Sequence, residues 1–220
     1  MSSPGPTGST SHNPIWESRS SVDGMSDPVP AAREGFIVWL EGLPGSGKTT
    51  LSREMGARLR SEGWPVEVLD GDEVRRMFSP ELGFARKDRE LHARRVSYVS
   101  RMLARNGVAV LVAMITPYET SRQAARAEVG TTRFTEVWLS CPIEICQRRD
   151  PKGIYRQSEQ GLVKRMTGVD DPFEEPLNPD LVLDTSSDPV AASVQKLYDH
   201  LRHGGLLERR AASAAVVPPA

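Results

Sequence analysis

Directly after the apolar run Phe36-Ile37-Val38-Trp39-Leu40, and directly before a helical pattern, the chain reads Gly42-Leu43-Pro44-Gly45-Ser46-Gly47-Lys48-Thr49, that is, G-x-x-x-x-G-K-[ST]. Glycines in such a turn let successive backbone N–H groups converge on one anion, because no Cβ obstructs the approach and glycine accepts the backbone angles required. The spacing predicts a phosphate-binding loop between a strand and a helix. A nucleoside triphosphate would be held by Gly42, Leu43, Pro44, Gly45, Ser46, Gly47, Lys48, Thr49 and Thr50. Lys48 is placed to reach the β- and γ-phosphates and the Thr49 hydroxyl to ligate Mg²⁺, while the following helix turns its positive end to the anion.

The rest of the composition narrows the partners. A length of 220 residues suffices for one buried α/β domain. A formal charge of -1 gives no global attraction to nucleic acid or to an anionic membrane, so a small-molecule partner is expected and neither of those two. Cys141 and Cys146 are the only cysteines, lack metal-ligand spacing, and read as packing residues of a cytoplasmic protein. No run approaches the roughly 18 apolar residues of a membrane span. Residues 1–34, crowded with Ser, Gly and Pro, read as a flexible tail, residues 35–203 as one domain, and residues 204–220 as a frayed C-terminal tail.

Hydrophobic periodicity predicts strands at 36–40, 66–69, 108–115, 134–139 and 181–183, alternating with helices at 50–62, 73–78, 88–105, 119–129, 142–149 and 189–201. The helix at 88–105 is expected to bury Val96, Val99 and Leu103. Residues 150–179, rich in Gly, Pro and charge, are read as an irregular functional segment. Such alternation implies a mainly parallel sheet flanked by helices, an α/β phosphate-loop NTPase fold with a mobile lid. Ligands of such sheets gather beyond the carboxyl ends of the strands, which brings the phosphate loop, Asp70-Gly71-Asp72 and Thr116-Pro117-Tyr118 to one rim.

A phosphate loop alone fits GTPases, ATPases, motors and kinases. The chain lacks the Asn-Lys-x-Asp motif that reads guanine and an apolar run ending in Asp-Glu, and it has what a small-molecule kinase needs. Asp72 is a candidate to orient or deprotonate an acceptor hydroxyl, and Asp70 to hold a Mg²⁺-bound water. Arg148, Arg149, Lys152 and Arg156 are candidate lid cations, and Arg75, Arg89, Arg94 and Arg95 candidate anion ligands.

These residues resemble the adenylylsulfate kinase family, which phosphorylates the ribose 3′-hydroxyl of adenosine 5′-phosphosulfate (APS) with ATP. The resemblance spans about Phe36 to Thr185. It rests on Leu69-Asp70-Gly71-Asp72-x-Val74-Arg75, Gly83-Phe84 with Asp88-Arg89 and Arg94-Arg95, and Ile115-Thr116-Pro117-Tyr118. Further markers are Arg149-Asp150-Pro151-Lys152-Gly153-x-Tyr155, Thr167-Gly168-x-Asp170-Asp171-Pro172, and Asn178-Pro179 before Leu183-Asp184-Thr185. The resemblance implies a catalytic set of Lys48, Asp70, Asp72 and Thr116, and adds Arg149 and Thr185 to the ATP contacts. Asp72, Arg75, Phe84, Arg89, His92, Ile115, Thr116, Pro117, Lys152 and Met166 are implied on the acceptor side. It also implies a homodimer, a place in sulfate activation and association with an ATP sulfurylase.

The chain departs from the family pattern where the acceptor binds. His92 stands where Asn is usual, and Met166 where a second adenine-stacking Phe is usual. His92 is a candidate for a charge near neutral pH, and Met can pack on a purine through its thioether. The pair keeps open a kinase of the same build acting on another hydroxylated metabolite.

Overall fold

A computed structural model of the chain describes residues 34–208. The expected flexible tail lies outside them except for Glu34, as do residues 209–220. The strands are β1 (Phe36–Glu41), β2 (Val66–Asp70), β3 (Ala109–Ala113), β4 (Phe134–Ser140) and β5 (Leu181–Asp184). The helices are α1 (Lys48–Ser61), α2 (Gly71–Phe78), α3 (Arg86–Ala104), α4 (Glu119–Val129), α5 (Ile143–Arg149), α6 (Ile154–Glu159) and α7 (Val190–His203). Every strand pair is parallel, in the order β2-β3-β1-β4-β5.

The central strand explains its own composition. Phe36, Val38 and Leu40 pack with Leu51, Met55 and Leu59 of α1 and Leu197 and Leu201 of α7. Ile37 and Trp39 pack with Val96 of α3 and Ala125 of α4 on the opposite face. With both faces covered, no position of β1 is left for a solvent-facing polar residue, hence the continuous apolar run. Parallel pairing also brings the ends of β1, β2 and β3 to one edge, beneath the phosphate loop, Asp70 and Thr116.

Three expectations are corrected. The segment 150–179 is not wholly irregular, because α6 forms where the Asp150 carboxylate accepts from the N–H groups of Tyr155 (3.2 Å) and Arg156 (3.1 Å). α3 buries His92, Ala93, Val96, Ser97, Ser100 and Ala104, with Val99 and Leu103 only half-buried. Its two serines are tolerated inside because their hydroxyls donate to Ala93 O and Val96 O, each at 2.8 Å. Order also extends past Gly204: the Leu206 N–H donates to Leu201 O at 3.0 Å and its side chain joins the core.

A buried charged network ties α4 to the sheet. Arg122 is wholly buried; its Nη2 donates to Glu119 Oε2 (2.6 Å) and its Nη1 to Thr116 O (2.9 Å). Glu41, also wholly buried at the end of β1, lies 3.4 Å from Arg122 Nε. Burial, joined by the neighbouring Glu136 carboxyl, overcomes the opposing pull of Arg122 and raises the Glu41 pKa from 4.5 to about 10. The native chain therefore keeps a proton that the unfolded chain releases, and the stability this contributes is full below pH 4.5 and lost as pH rises toward about 10. Glu41→Gln, which mimics the neutral acid, is expected to gain stability over the unaltered protein as pH rises from about 6 to 9. Urea midpoints measured across that range check this, and a difference independent of pH contradicts it.

Candidate active site

The phosphate loop closes on itself around a buried cation. Lys48 Nζ donates to Gly42 O (2.8 Å), Leu43 O (2.7 Å) and Ser46 Oγ (3.3 Å). Burial lowers its pKa from 10.5 to about 8. Gly45, at φ 78°, is required twice over: that angle strains any side chain, and a Cβ there would stand 2.8 Å from Cys146 O. The lid sits on this loop through Tyr155, whose hydroxyl donates to Pro44 O at 3.1 Å.

Opposite the loop stands the end of β2. Thr49 Oγ1 donates to Asp70 Oδ2 at 2.7 Å, and Asp70 Oδ1 caps α2 by accepting from the Asp72 N–H at 3.1 Å. Burial works to raise the Asp70 pKa, but the hydrogen bonds from Thr49 and the Asp72 backbone, with Lys152 nearby, hold it below the usual carboxylate range. Asp72 reaches across the cleft from the first turn of α2 and pairs with Lys152 of the lid. Arg149 Nη2 donates to Thr185 O (2.6 Å), and Thr185 Oγ1 to Ser46 O (2.8 Å).

The cleft holds about 660 Å³. Its far half is built on Phe84, which is 52% exposed and flanked by guanidinium carbons of Arg75 at 4.6 Å and Arg89 at 5.4 Å from the ring centroid. Arg75 donates to Gly83 O; Arg89 donates to Phe84 O (3.0 Å) and Arg165 O (2.6 Å). Thr116 lies in the wall at φ 42°, its hydroxyl accepting from Trp39 Nε1 at 2.9 Å and its carbonyl held by Arg122. An aromatic face flanked by cations suits a purine that carries anionic groups.

Most of the sequence-predicted residues meet here. Pro44, Gly45, Ser46, Gly47, Lys48, Thr49, Thr50, Asp70, Asp72, Arg75, Phe84, Arg89, His92, Ile115, Thr116, Pro117, Arg149, Lys152 and Thr185 all line the cleft. Gly42, Leu43 and Met166 do not. Gly42 serves through its carbonyl, and Leu43 turns into the cluster beneath the lid. Met166 is buried in that same cluster with Cys141, Cys146 and Tyr155, so it is core and not a stacking partner. Arg148, Arg156 and Arg94 are outside the cleft wall, and Arg95 binds Phe78 O (2.8 Å) and Glu81 (2.6 Å) instead. His92 is not charged near neutral pH: burial, then Arg75 and Arg95, holds its pKa down to about 4.

Glu41, Trp39 and Arg122 escaped sequence reasoning, and Tyr155 was quoted in the resemblance without a role. Trp39 carried a usable signal, since an indole N–H in a fully apolar strand needs a partner across the fold. Among the described residues no cluster of His, Cys, Asp and Glu could hold a metal by itself, and no helix is long and apolar enough to cross a membrane.

The family model for adenylylsulphate kinase matches residues 34–184. An adenylyl-sulfate kinase of Synechococcus sp. (strain JA-3-3Ab) is 45% identical over 176 residues, 80% of this chain and 99% of the relative. A probable bifunctional SAT/APS kinase 2 of Sorangium cellulosum is 42% identical over 182 residues, 83% of this chain but 31% of the relative. Among solved structures, the APS kinase CysC of Mycobacterium tuberculosis in complex with AMPPNP and APS superposes with a TM-score of 0.74 at 37% identity, covering 77% of this chain and 99% of that one.

The depressed Lys48 pKa has a measurable result. A bound triphosphate favours the charged amine, so ATP binding above about pH 8 takes up a proton and weakens as pH rises. Calorimetry in buffers of different ionisation enthalpy is expected to register this uptake, absent in Lys48→Met; equal uptake in the variant contradicts it.

Proposed function

The chain belongs to the adenylylsulfate kinase family, and from that membership we propose that it transfers the γ-phosphoryl group of ATP to the ribose 3′-hydroxyl of APS, in sulfate activation. The observation that carries the reading is the pairing of Asp72 with Lys152 between the phosphate loop on one side and the Phe84 platform on the other. An acceptor stacked on Phe84, its anionic groups on Arg75 and Arg89, presents its ribose toward that pair. Asp72 accepts the hydroxyl proton, the 3′-oxygen bonds to the γ-phosphorus, and the bond from that phosphorus to the β–γ bridging oxygen breaks, releasing ADP. Lys152, released from Asp72, and Lys48 offset the charge that develops on the transferred group. Thr116, whose hydroxyl is occupied by Trp39, acts as a wall residue that shapes the pocket.

The Thr49 hydroxyl and the Asp70 carboxylate are hard oxygen donors at the mouth of the phosphate loop, the donor chemistry Mg²⁺ prefers alongside water and phosphate oxygens. When bound, the ion neutralises charge on the β- and γ-phosphates.

A different alcohol as acceptor was suggested by His92 and Met166 together. With Met166 in the lid core, only His92 still distinguishes this pocket, and the APS reading is favoured. A homodimer belongs to the same proposal, supported by exposed Met77, Leu91 and Tyr98 on α2 and α3 and measurable by sedimentation. Association with an ATP sulfurylase is supported by the relative named as a bifunctional SAT/APS kinase. A cytoplasmic setting is supported by the unpaired thiols of Cys141 and Cys146.

Asp72→Asn is expected to lower kcat by roughly 10²–10⁴-fold, the usual range for a lost general base, with ATP binding nearly unchanged. Steady-state assays with APS and ATP, paired with ATP titrations, check this. Equal losses in turnover and ATP affinity contradict the role given to Asp72.

A further inference from the structure

His92 enters the acceptor half of the cleft from α3 with only 3% of its surface exposed. Its Nδ1 lies 2.9 Å from Ser79 Oγ, and Ser79, just past the end of α2, is itself buried. Arg95 Nη1 stands 3.3 Å from the same Ser79 oxygen while it also binds Phe78 O and Glu81. A hydroxyl oxygen turned to a guanidinium directs its hydrogen the other way, here toward Nδ1. Nδ1 is then the acceptor, and a neutral ring carries its single proton on Nε2. That nitrogen is buried and meets no partner among the described residues. Three charged groups surround this arrangement: Arg75 on α2, Arg95 on α3, and Glu81 in the loop between them, already paired with Arg95. The two guanidiniums add to burial in keeping the ring uncharged.

We infer that His92 is a specificity residue that donates from Nε2 to an uncharged lone-pair atom of the acceptor's nucleoside part, and that Ser79 and Arg95 are positioning residues that fix the proton there. A buried N–H without a partner is costly, and a residue in the wall of a ligand cleft has a ligand to supply one. A neutral donor suits the nucleoside, since Arg75 and Arg89 are available for anionic groups. The inference rests on reading the cleft as an APS site, and its test separates the two.

The ring is read directly by two-bond ¹H–¹⁵N correlation on ¹⁵N-labelled full-length protein between about pH 6 and 8. Nε2 is expected to be protonated and Nδ1 bare, with that preference erased in Ser79→Ala; a protonated Nδ1 in the unaltered protein overturns the assignment. In steady state, His92→Phe is expected to raise KM for APS by about three- to tenfold, more than any change in KM for ATP. His92→Gln, whose amide N–H lies near the position of Nε2, is expected to recover most of that loss. An unchanged KM for APS in His92→Phe, or no recovery with Gln, overturns the role. Should the Phe variant fail to fold, Ser79→Ala keeps the ring and carries the kinetic arm: a smaller, APS-selective rise supports the inference and none overturns it. Unaltered protein without APS turnover sinks the functional reading above, and the ring spectrum then still decides the proton placement.

Discussion

The hydrogen bond from Thr49 to Asp70 joins two parts of the sheet that are not neighbours. Thr49 follows β1 and Asp70 ends β2, and β3 lies between those strands. The contact spans the gap above β3 and fixes the distance from phosphate loop to α2, and therefore from Lys48 to Asp72. Because Asp70 also caps α2, one carboxylate sets both the start of that helix and its separation from the loop. The parallel sheet makes this possible by delivering both strand ends to the same edge.

Most cations of the cleft rest on neutral oxygens. Lys48 lies on Gly42 O and Leu43 O, Arg75 on Gly83 O, and Arg149 on Thr185 O, while Arg89 holds two carbonyls with Asp171 farther off at 3.7 Å. A carbonyl keeps a buried cation satisfied yet binds it more weakly than phosphate or sulfate does, so an arriving anion can take it over. Lys152 is the contrast, paired with a carboxylate that has its own work in the proposed transfer. In the proposed transfer that pair parts when Asp72 takes the acceptor hydroxyl, which links occupation of the acceptor half to release of a lid cation.

How much could be read in advance follows from the range of each interaction. The phosphate loop was legible because its geometry is local: glycines at fixed offsets, a strand before and a helix after. The mainly parallel sheet and the rim followed from alternation of the elements. His92 was found by position, but its neutral state depends on burial beside Arg75 and Arg95, and its contact with Ser79 on a packing of α2 on α3 that no local pattern announces. Glu41 gave no signal, since a carboxylate at a strand end reads as a solvated turn until α4 lays Arg122 beside it. Met166 was carried by the family resemblance alone, and the lid cluster claimed it. α6 escaped because a capping carboxylate, Asp150, supports it in place of an apolar stripe.

In the proposed transfer one cleft grips the triphosphate at Gly42 to Thr49 and offers an alcohol to it from Asp72. A crystal structure of the protein with AMPPNP and APS tests this most directly. The ribose 3′-oxygen is expected within about 2.6–3.2 Å of the Asp72 carboxylate, with the purine on Phe84 and Lys48 on the terminal phosphate. APS bound away from Phe84, or Asp72 still held by Lys152 with the hydroxyl out of reach, contradicts it.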